Sequence, residues 1–209
     1  MASKLREYDE FAEKIVNEFL EKNFYHKYCS NYVRYVDKSN QVIGIDTSFS
    51  LNGSTYYCDE KSAIRYANKN LQTFSLELSF INRKGNLSNG WLVDDNKKND
   101  SYLFCWIDKS IKDKFTSYED LLDVEISLVK KNRIIEYLSE IGWSLEKLNE
   151  KSKRIRSNRD EYCGDINSDG IKFSKSFQLY EKPINILIKR KKLAEISDFN
   201  KKIIIDKKK

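Results

Sequence analysis

The chain of 209 residues is 40% hydrophobic and 33% charged, and its single proline and many aromatic residues argue against long disordered stretches. The formal net charge of +6 suits a polyanionic partner such as nucleic acid without requiring one. No apolar run reaches the roughly 18 residues of a membrane span and no signal-peptide core follows Met1, so we expect a soluble, cytoplasmic protein with no membrane association.

Histidine and cysteine chemistry is restricted in this chain. His26 is the only histidine, which excludes two-histidine metal sites and leaves one residue for any serine–histidine catalysis. The four cysteines are widely spaced without a C-x-x-C pair, which indicates reduced thiols rather than a disulfide framework. A zinc site built from His26, Cys29 and distant cysteines is an alternative, although structural zinc sites usually have paired ligands.

Residues 5–23 are predicted to form the first helix, because apolar residues recur there at helical spacing. Two acidic residues, Glu13 and Glu18, flank this apolar stripe on opposite sides, each about 100° or more from its centre. Residues 31–37 alternate like a strand or an irregular edge segment, and residues 37–40 have the composition of a turn. We therefore expect a helix and an edge strand before residue 41.

Residues 41–63, QVIGIDTSFSLNGSTYYCDEKSA, are typical of a β-hairpin. Their turn is Asn52-Gly53, and this dipeptide between two β-rich runs favours a two-residue type I′ loop with positive φ at both positions. Such a loop pairs Leu51 with Ser54 and thereby sets the register of the whole hairpin.

This register places Asp46 opposite Asp59, and Gly44 opposite Lys61. Directly opposed residues share a face with Cβ atoms about 4.5–5.5 Å apart, and Asp59 and Lys61 share a face because they are two apart on one strand. Two facing carboxylates repel each other unless a cation lies between them. Mg²⁺ binds through one or two carboxylates plus waters and phosphate oxygens, so the pattern indicates a metal site. A solvated hairpin face with an Asp59–Lys61 ion pair is the alternative.

The pattern of Asp46, twelve intervening residues and then Asp59-Glu60-Lys61 resembles the PD-(D/E)XK nuclease superfamily, although Ile45 stands where that motif has proline. The wider run GID…YYCDEKSAIRY…LQTFSLELSF…GWLVDD is also similar to small phage and bacterial proteins of the same fold. The acidic-x-Lys triplet recurs at residues 95–97 and 206–208. Only the copy at residues 59–61 is paired by a tight turn with another aspartate.

The resemblance implies an α/β protein with a restriction-endonuclease-like mixed β-sheet flanked by helices. It implies that Asp46 and Asp59 hold Mg²⁺ or Mn²⁺, with the backbone carbonyl of Glu60 as a further ligand. It also implies that Lys61 helps to activate or position the attacking water.

Two more expectations come from the resemblance. A glutamate of the first helix often completes the metal site in this superfamily, and Glu18 is the first candidate here and Glu13 the second, with a solvated helix surface as the alternative for both. Enzymes of this kind that cut both DNA strands commonly dimerise, so a homodimer is expected for that mode of action.

Three segments are candidates for nucleic-acid contact. Residues 62–69 are predicted to form a short helical turn, residues 82–90 a polar loop, and residues 144–157 a helix with a basic end. The basic candidates are Arg65, Lys84, Lys153, Arg154 and Arg156, with Tyr66 and Lys69 as residues that could face a base or a phosphate. Solvated surface charge is the alternative for each segment.

Residues 73–81, TFSLELSFI, alternate with period two and predict a strand in the same sheet as the hairpin. Glu77 on this strand is a further candidate metal or water ligand, or an ion-pair partner. Strands are also predicted at residues 91–93, 101–107, 171–180 and 183–188, helices at residues 132–141 and 191–199, and a basic tail at residues 206–209, while residues 121–129 fit either a strand or a helix.

Residues 165–170, DINSDG, match the first half of a calcium-binding EF-hand loop. The match fails at position twelve, where Ser176 replaces the bidentate glutamate, and the following residues resemble a strand rather than a helix. We therefore expect an Asx-rich turn, with a structural calcium ion as the alternative.

Together these patterns predict a single domain over residues 1–209, with a basic helical and strand part from about residue 118. The expected function is Mg²⁺-dependent hydrolysis of phosphodiester bonds by an endonuclease, with DNA favoured over RNA. The alternative is a non-catalytic binding module on the same fold. Such a module would bind nucleic acid without cutting it, or would be a phage-encoded inhibitor whose partner is a protein of a host defence system.

Overall fold

The computed structural model describes residues 2–109 and 115–205, and the chain divides into two compact units. Unit 1 contains Met1–Leu71, Asn99–Val129 and Ser197–Lys209, and unit 2 contains Gln72–Lys98 and Lys130–Ile196. The segments of the two units alternate along the chain. Within the described part, no helix has the length and apolar character that a membrane span requires.

Helices and strands are mixed in both units, which confirms the α/β class. In chain order the helices are α1 (Ala2–Leu20), which continues through a π-helical turn (Glu21–Tyr25), α2 (His26–Tyr28), α3 (Lys38–Val42), α4 (Lys131–Glu140), α5 (Leu145–Ser157) and α6 (Arg190–Glu195). The strands are β1 (Ser30–Arg34), β2 (Thr47–Leu51), β3 (Ser54–Ser62), β4 (Thr73–Ile81), β5 (Leu87–Asn89), β6 (Ser101–Lys109), β7 (Leu121–Lys130), β8 (Ile171–Lys175), β9 (Ile184–Lys189) and β10 (Phe199–Ile204).

Unit 1 is built on a six-stranded mixed sheet with the order β1-β2-β3-β6-β7-β10. Strands β2 and β3 are antiparallel, whereas β3 and β6 are parallel. The apolar face of α1 belongs to one hydrophobic core with the sheet; Val16, Phe19 and Leu20 are fully buried in the same cluster as Phe49 of β2 and Leu103 of β6. This burial fixes α1 beside the hairpin, since each large apolar side chain removed from water contributes about 1.5–3 kcal/mol.

The predicted register of the hairpin is confirmed. Leu51 pairs with Ser54, and the register runs without a shift to Thr47 opposite Cys58. Asn52 and Gly53 both have positive φ, at 50° and 81°, as a type I′ turn requires. The turn residues therefore determine which side chains of β2 and β3 share a face.

The prediction that the first hairpin strand begins at residue 41 is wrong. The carboxylate of Asp37 accepts hydrogen bonds from the backbone and side-chain nitrogens of Asn40, and residues 38–42 form the short helix α3. Gly44 then takes a left-handed conformation with φ of 78°, and β2 begins only at Thr47. Gly44 is consequently not paired with Lys61, and Asp46 is the last residue before the strand.

Unit 2 contains an antiparallel four-stranded sheet with the order β5-β4-β9-β8. Strand β4 has the predicted bounds, and its predicted alternation holds from Phe74 to Leu78, after which a register shift between Glu77 and Ser79 leaves Ser79 buried. The prediction that β4 joins the hairpin sheet is wrong. Its neighbours are β5 and β9, and Glu77 pairs with Asn185 of β9. The strand pairing that would have brought Glu77 beside the hairpin is therefore not formed.

Several other elements have bounds that differ from the prediction. Residues 91–93 form turns rather than a strand, and residues 121–130 are the strand β7. The predicted strand at residues 171–180 ends at Lys175. The predicted helix at residues 191–199 ends at Glu195, after which the chain enters β10, while the predicted tail at residues 206–209 lies outside the described residues.

Gly90 lies directly against the backbone of β4. An added Cβ would come within 2.4 Å of both the carbonyl carbon and the oxygen of Glu77, and the Gly90 nitrogen donates to the Leu78 carbonyl at 2.8 Å. Because backbone atoms of a paired strand cannot move aside, we expect Gly90→Ala to lower the free energy of unfolding by about 1–3 kcal/mol, measured by urea denaturation. Asn89→Ala, at an exposed neighbouring position, should change it by less than about 0.5 kcal/mol. Equal midpoints for the two variants would contradict this packing.

Candidate active site

Asp46 bridges the two hairpin strands at the point where β2 begins. Its backbone nitrogen donates to the Cys58 carbonyl at 2.9 Å, and its Oδ2 accepts from the Glu60 backbone nitrogen at 2.8 Å. The Asp46 carboxylate therefore accepts the backbone hydrogen bond of Glu60 that a backbone carbonyl would accept if β2 continued. It is held against β3 although it is not itself in a strand.

Asp59 and Lys61 project from the same face of β3 and contact each other. The Lys61 Nζ donates to Asp59 Oδ1 at 2.5 Å, and Asp59 is only 4% exposed. Burial raises the pKa of Asp59 to about 6; the Lys61 ammonium acts to lower this pKa, and the Asp46 carboxylate raises it. The Asp46 carboxylate is therefore near enough to Asp59 to act on its pKa. The structure thus brings together Asp46, Asp59 and Lys61, while their chemical role stays a prediction.

The Glu60 side chain points to the other face of β3 and is held by three residues. Arg34 donates to both of its carboxylate oxygens, at 2.8 and 3.0 Å, and the Tyr25 hydroxyl donates to Oε1 at 2.5 Å. The amide nitrogen of Asn17, in the orientation that satisfies both ends of that amide, donates to Oε2 at 3.2 Å. The Glu60 carboxylate therefore has a structural role in the fold, and its counter-ion is the Arg34 guanidinium.

The backbone carbonyl of Glu60, the predicted further ligand, faces the side of Asp46. The two backbone polar groups of one strand residue point towards the same neighbouring strand, and the Glu60 nitrogen donates to Asp46. The carbonyl accordingly lies on the edge where β2 has ended. This placement is compatible with the predicted role of that oxygen.

The two candidate glutamates of α1 differ in what they contact. Loss of solvent raises the pKa of Glu13, as do the nearby Asp9 and Asp46 carboxylates, while Lys61 acts to lower it. Glu18, the first candidate from the sequence, forms an exposed ion pair with Lys22 at 2.5 Å. Glu13 is therefore the α1 carboxylate in electrostatic contact with the site, and the structure does not bring Glu18 into it.

The donor set can be compared with the needs of a divalent ion. Among residues 2–109 and 115–205, no group of three or more histidine, cysteine, aspartate or glutamate side chains is arranged to hold a metal ion. An ion here would bind to the carboxylates of Asp46 and Asp59 and complete its shell with a carbonyl, waters or phosphate oxygens. Mg²⁺ commonly binds in this way, so the residues fit that ion.

No family model, curated protein or solved structure matches this chain.

The predicted nucleic-acid contacts have different surroundings. In unit 1, Arg65 forms an ion pair with Asp9 of α1 and is half-exposed. In unit 2, Lys84 and Lys153 are exposed, and Arg154 is exposed with its Nε 3.6 Å from Glu161. Arg156 instead donates to the Ser79 carbonyl and hydroxyl at 3.2 and 2.8 Å, and burial lowers its pKa. Arg156 thus supports the attachment of α5 to β4.

The two alternative metal sites can also be located. His26 Nε2 lies 4.0 Å from Glu21, and burial raises the pKa of the Cys29 thiol to about 12. In residues 165–170 the carboxylates are bonded to the loop itself, since Asp165 accepts from the Asn167 nitrogen and Asp169 from the Asp165 nitrogen. The strand β8 follows, as expected for an Asx turn.

The residues around Glu60 were missed from the sequence, although a signal was present. Glu60 falls by parity among the apolar residues of the hairpin, and a carboxylate on a buried face needs a cation and hydrogen-bond donors. Arg34 lies in the predicted edge strand at residues 31–37. What the sequence does not show is that β1 pairs with β2 and thereby brings Arg34 to Glu60.

Proposed function

We propose that this protein is a metal-dependent nuclease of the restriction-endonuclease-like, PD-(D/E)XK type, which hydrolyses phosphodiester bonds. The observation that carries the proposal is the contact of Asp46, Asp59 and Lys61 at one edge of the hairpin. A carboxylate pair in which one member is buried and has a raised pKa lowers the stability of the fold. Ionisable groups with perturbed pKa values concentrate at functional sites, where such a cost is offset by a role in binding or catalysis.

The residues of the site would have separate roles. Asp46 and Asp59, with the Glu60 carbonyl, would hold Mg²⁺ or Mn²⁺. When bound, such an ion supplies positive charge beside the scissile phosphate and lowers the pKa of water. The Lys61 ammonium would position the attacking water or offset charge on the phosphate.

Glu13 and the basic residues would complete the function. The raised pKa of Glu13 suits a group that takes up the proton released from water. In unit 1, Arg65 would contact the phosphate backbone, with DNA as the expected substrate, and Lys84, Lys153 and Arg154 are candidate phosphate contacts of unit 2 by itself.

Degradation assays test this proposal. Plasmid, single-stranded DNA and RNA are incubated with Mg²⁺ or Mn²⁺, and we expect cleavage that EDTA and Asp59→Ala both abolish. The matched control is Asp95→Ala, which alters the acidic-x-Lys triplet of an exposed loop and should leave cleavage unchanged. Cleavage that survives Asp59→Ala would contradict the assigned site.

A non-catalytic binding module is the second candidate, and the Asp59–Lys61 contact favours it. The Lys61 ammonium contacts Asp59 at 2.5 Å and offsets part of its charge, so positive charge is present beside this carboxylate without an ion. Such a protein would bind nucleic acid, or a protein of a host defence system, without cutting DNA or RNA. Nucleic-acid binding with no cleavage in either metal would favour this candidate.

A further inference from the structure

The segment that follows β3 is fixed at one end of two parallel strands. Ala63 donates from its backbone to the Cys105 carbonyl at 2.9 Å, and Asn68 donates to the Ile107 carbonyl at 3.2 Å. The Asn68 side chain also bonds both backbone groups of Lys109, at 3.0 and 2.7 Å. The loop is therefore held against the carboxyl ends of β3 and β6, where ligands of parallel strands commonly bind.

Tyr66 stands out from this fixed loop. Its ring is 52% exposed, whereas Ala63 and Ile64, just before it, are buried. The Lys69 backbone nitrogen donates to the Tyr66 carbonyl at 3.0 Å, and the Lys69 Nζ lies 5.5 Å from the Tyr66 ring centroid. An exposed aromatic ring with a cation over one of its faces, on a hydrogen-bonded loop, combines the two groups that single-strand sites use for bases and phosphates.

The loop is also close to the candidate active site. Tyr66 follows Lys61 by five residues, which span at most about 18 Å. Its neighbour Arg65 donates to Asp9, one helical turn from Glu13, and Glu13 is in electrostatic contact with Asp46 and Lys61. An oligonucleotide of several nucleotides bound on Tyr66 is therefore long enough to reach the carboxylate pair.

We propose that Tyr66 and Lys69 bind an unpaired base and its phosphate, so that the substrate is single-stranded nucleic acid; this inference rests on the proposed nuclease function. In a duplex the faces of the bases are stacked on one another, and a single ring on a protein surface has no access to them. An unpaired base offers that face to Tyr66. Lys69 supplies the charge for the adjoining phosphate.

Binding measured without catalysis tests the inference. A labelled oligothymidylate of about 12 nucleotides is titrated in EDTA at low salt and followed by fluorescence anisotropy, beside a duplex of equal length. We expect Tyr66→Ala to weaken single-strand binding about tenfold, Tyr66→Phe to keep it within about twofold, and Lys69→Ala to weaken it and reduce its salt dependence. Tyr162→Ala is the matched control, because Tyr162 is 66% exposed in the other unit beside acidic residues.

Each result decides the inference. Unaltered single-strand binding in Tyr66→Ala, equal losses for single strand and duplex, or no binding by the unaltered protein would overturn it. Retained binding in Asp59→Asn, with no cleavage by the unaltered protein, would support the surface while contradicting the nuclease proposal. Cleavage of single strands with an unchanged KM in Tyr66→Ala would contradict the surface and leave the nuclease proposal intact. Thermal melting checks that each variant is folded.

Discussion

Arg34→Ala is expected to lower the free energy of unfolding by about 3–5 kcal/mol at pH 7, a large part of the stability of an ordinary domain. The substitution removes both guanidinium bonds to Glu60, whose side chain is only 6% exposed, and leaves its carboxylate without a counter-ion. Tyr25 still donates to Glu60, but a hydroxyl does not neutralise the charge. Chemical denaturation of the full chain measures the loss.

Two controls separate the buried charge from the loss of a side chain. Arg65→Ala removes the partner of Asp9 in an ion pair whose arginine is 53% exposed, and should cost less than about 1 kcal/mol. The double variant Arg34→Met with Glu60→Gln removes both charges while keeping an acceptor for Tyr25, and should recover most of the loss. If the double variant is as unstable as Arg34→Ala, the uncompensated carboxylate is not the cause.

The same contact connects stability to the candidate site. Arg34 and Tyr25 hold the Glu60 side chain on one face of β3, and the Glu60 backbone nitrogen holds Asp46 at 2.8 Å. Loosening Glu60 would therefore move the donor that places Asp46 beside Asp59. If Asp46 and Asp59 hold a divalent ion, folded Arg34→Ala should bind that ion more weakly.

The part of the site that depends on local chain geometry could be predicted from the sequence. Asn52-Gly53 accepts positive φ at both positions, so it determines a two-residue loop and the register of β2 with β3. The alternation of side chains then places Asp59 and Lys61 on one face. These arguments need only neighbours along the chain, and the structure agrees with them.

The parts that depend on long-range pairing could not be predicted in the same way. Strand β4 has a clear alternating pattern, but that pattern does not say whether it pairs with β3 or with β9, more than 100 residues later. Glu13 and Glu18 both flank the apolar stripe of α1, and only the packing of α1 beside the sheet distinguishes them. Strand β10 is rich in lysine because it is an edge strand, which hides its β character in the sequence.

Asp59→Asn is expected to make the metal-free protein more stable at neutral and alkaline pH. Burial raises the pKa of Asp59 from 3.8 to about 6, so its charged form is disfavoured in the folded state by roughly 1–3 kcal/mol. A group with a raised folded-state pKa contributes stability that is fully present below pH 4 and is lost as the pH rises through 6. Asparagine does not ionise, so the variant should gain most at pH 8 and little at pH 4, measured by thermal and urea unfolding.

A divalent ion should stabilise the unaltered protein at pH 8 but not Asp59→Asn. If Asp46 and Asp59 hold Mn²⁺, the ion should stabilise the unaltered protein at pH 8 by about 2.7 kcal/mol at a hundredfold excess over its Kd. That gain should shrink below pH 6, where protonated Asp59 no longer binds a cation, and it should be absent in Asp59→Asn. Asp95→Asn alters the second acidic-x-Lys triplet, residues 95–97 on an exposed loop, and should behave like the unaltered protein. If Asp59 only stabilises the hairpin, Asp59→Asn should be less stable than the unaltered protein at pH 8. Mn²⁺ should then have the same effect on both proteins.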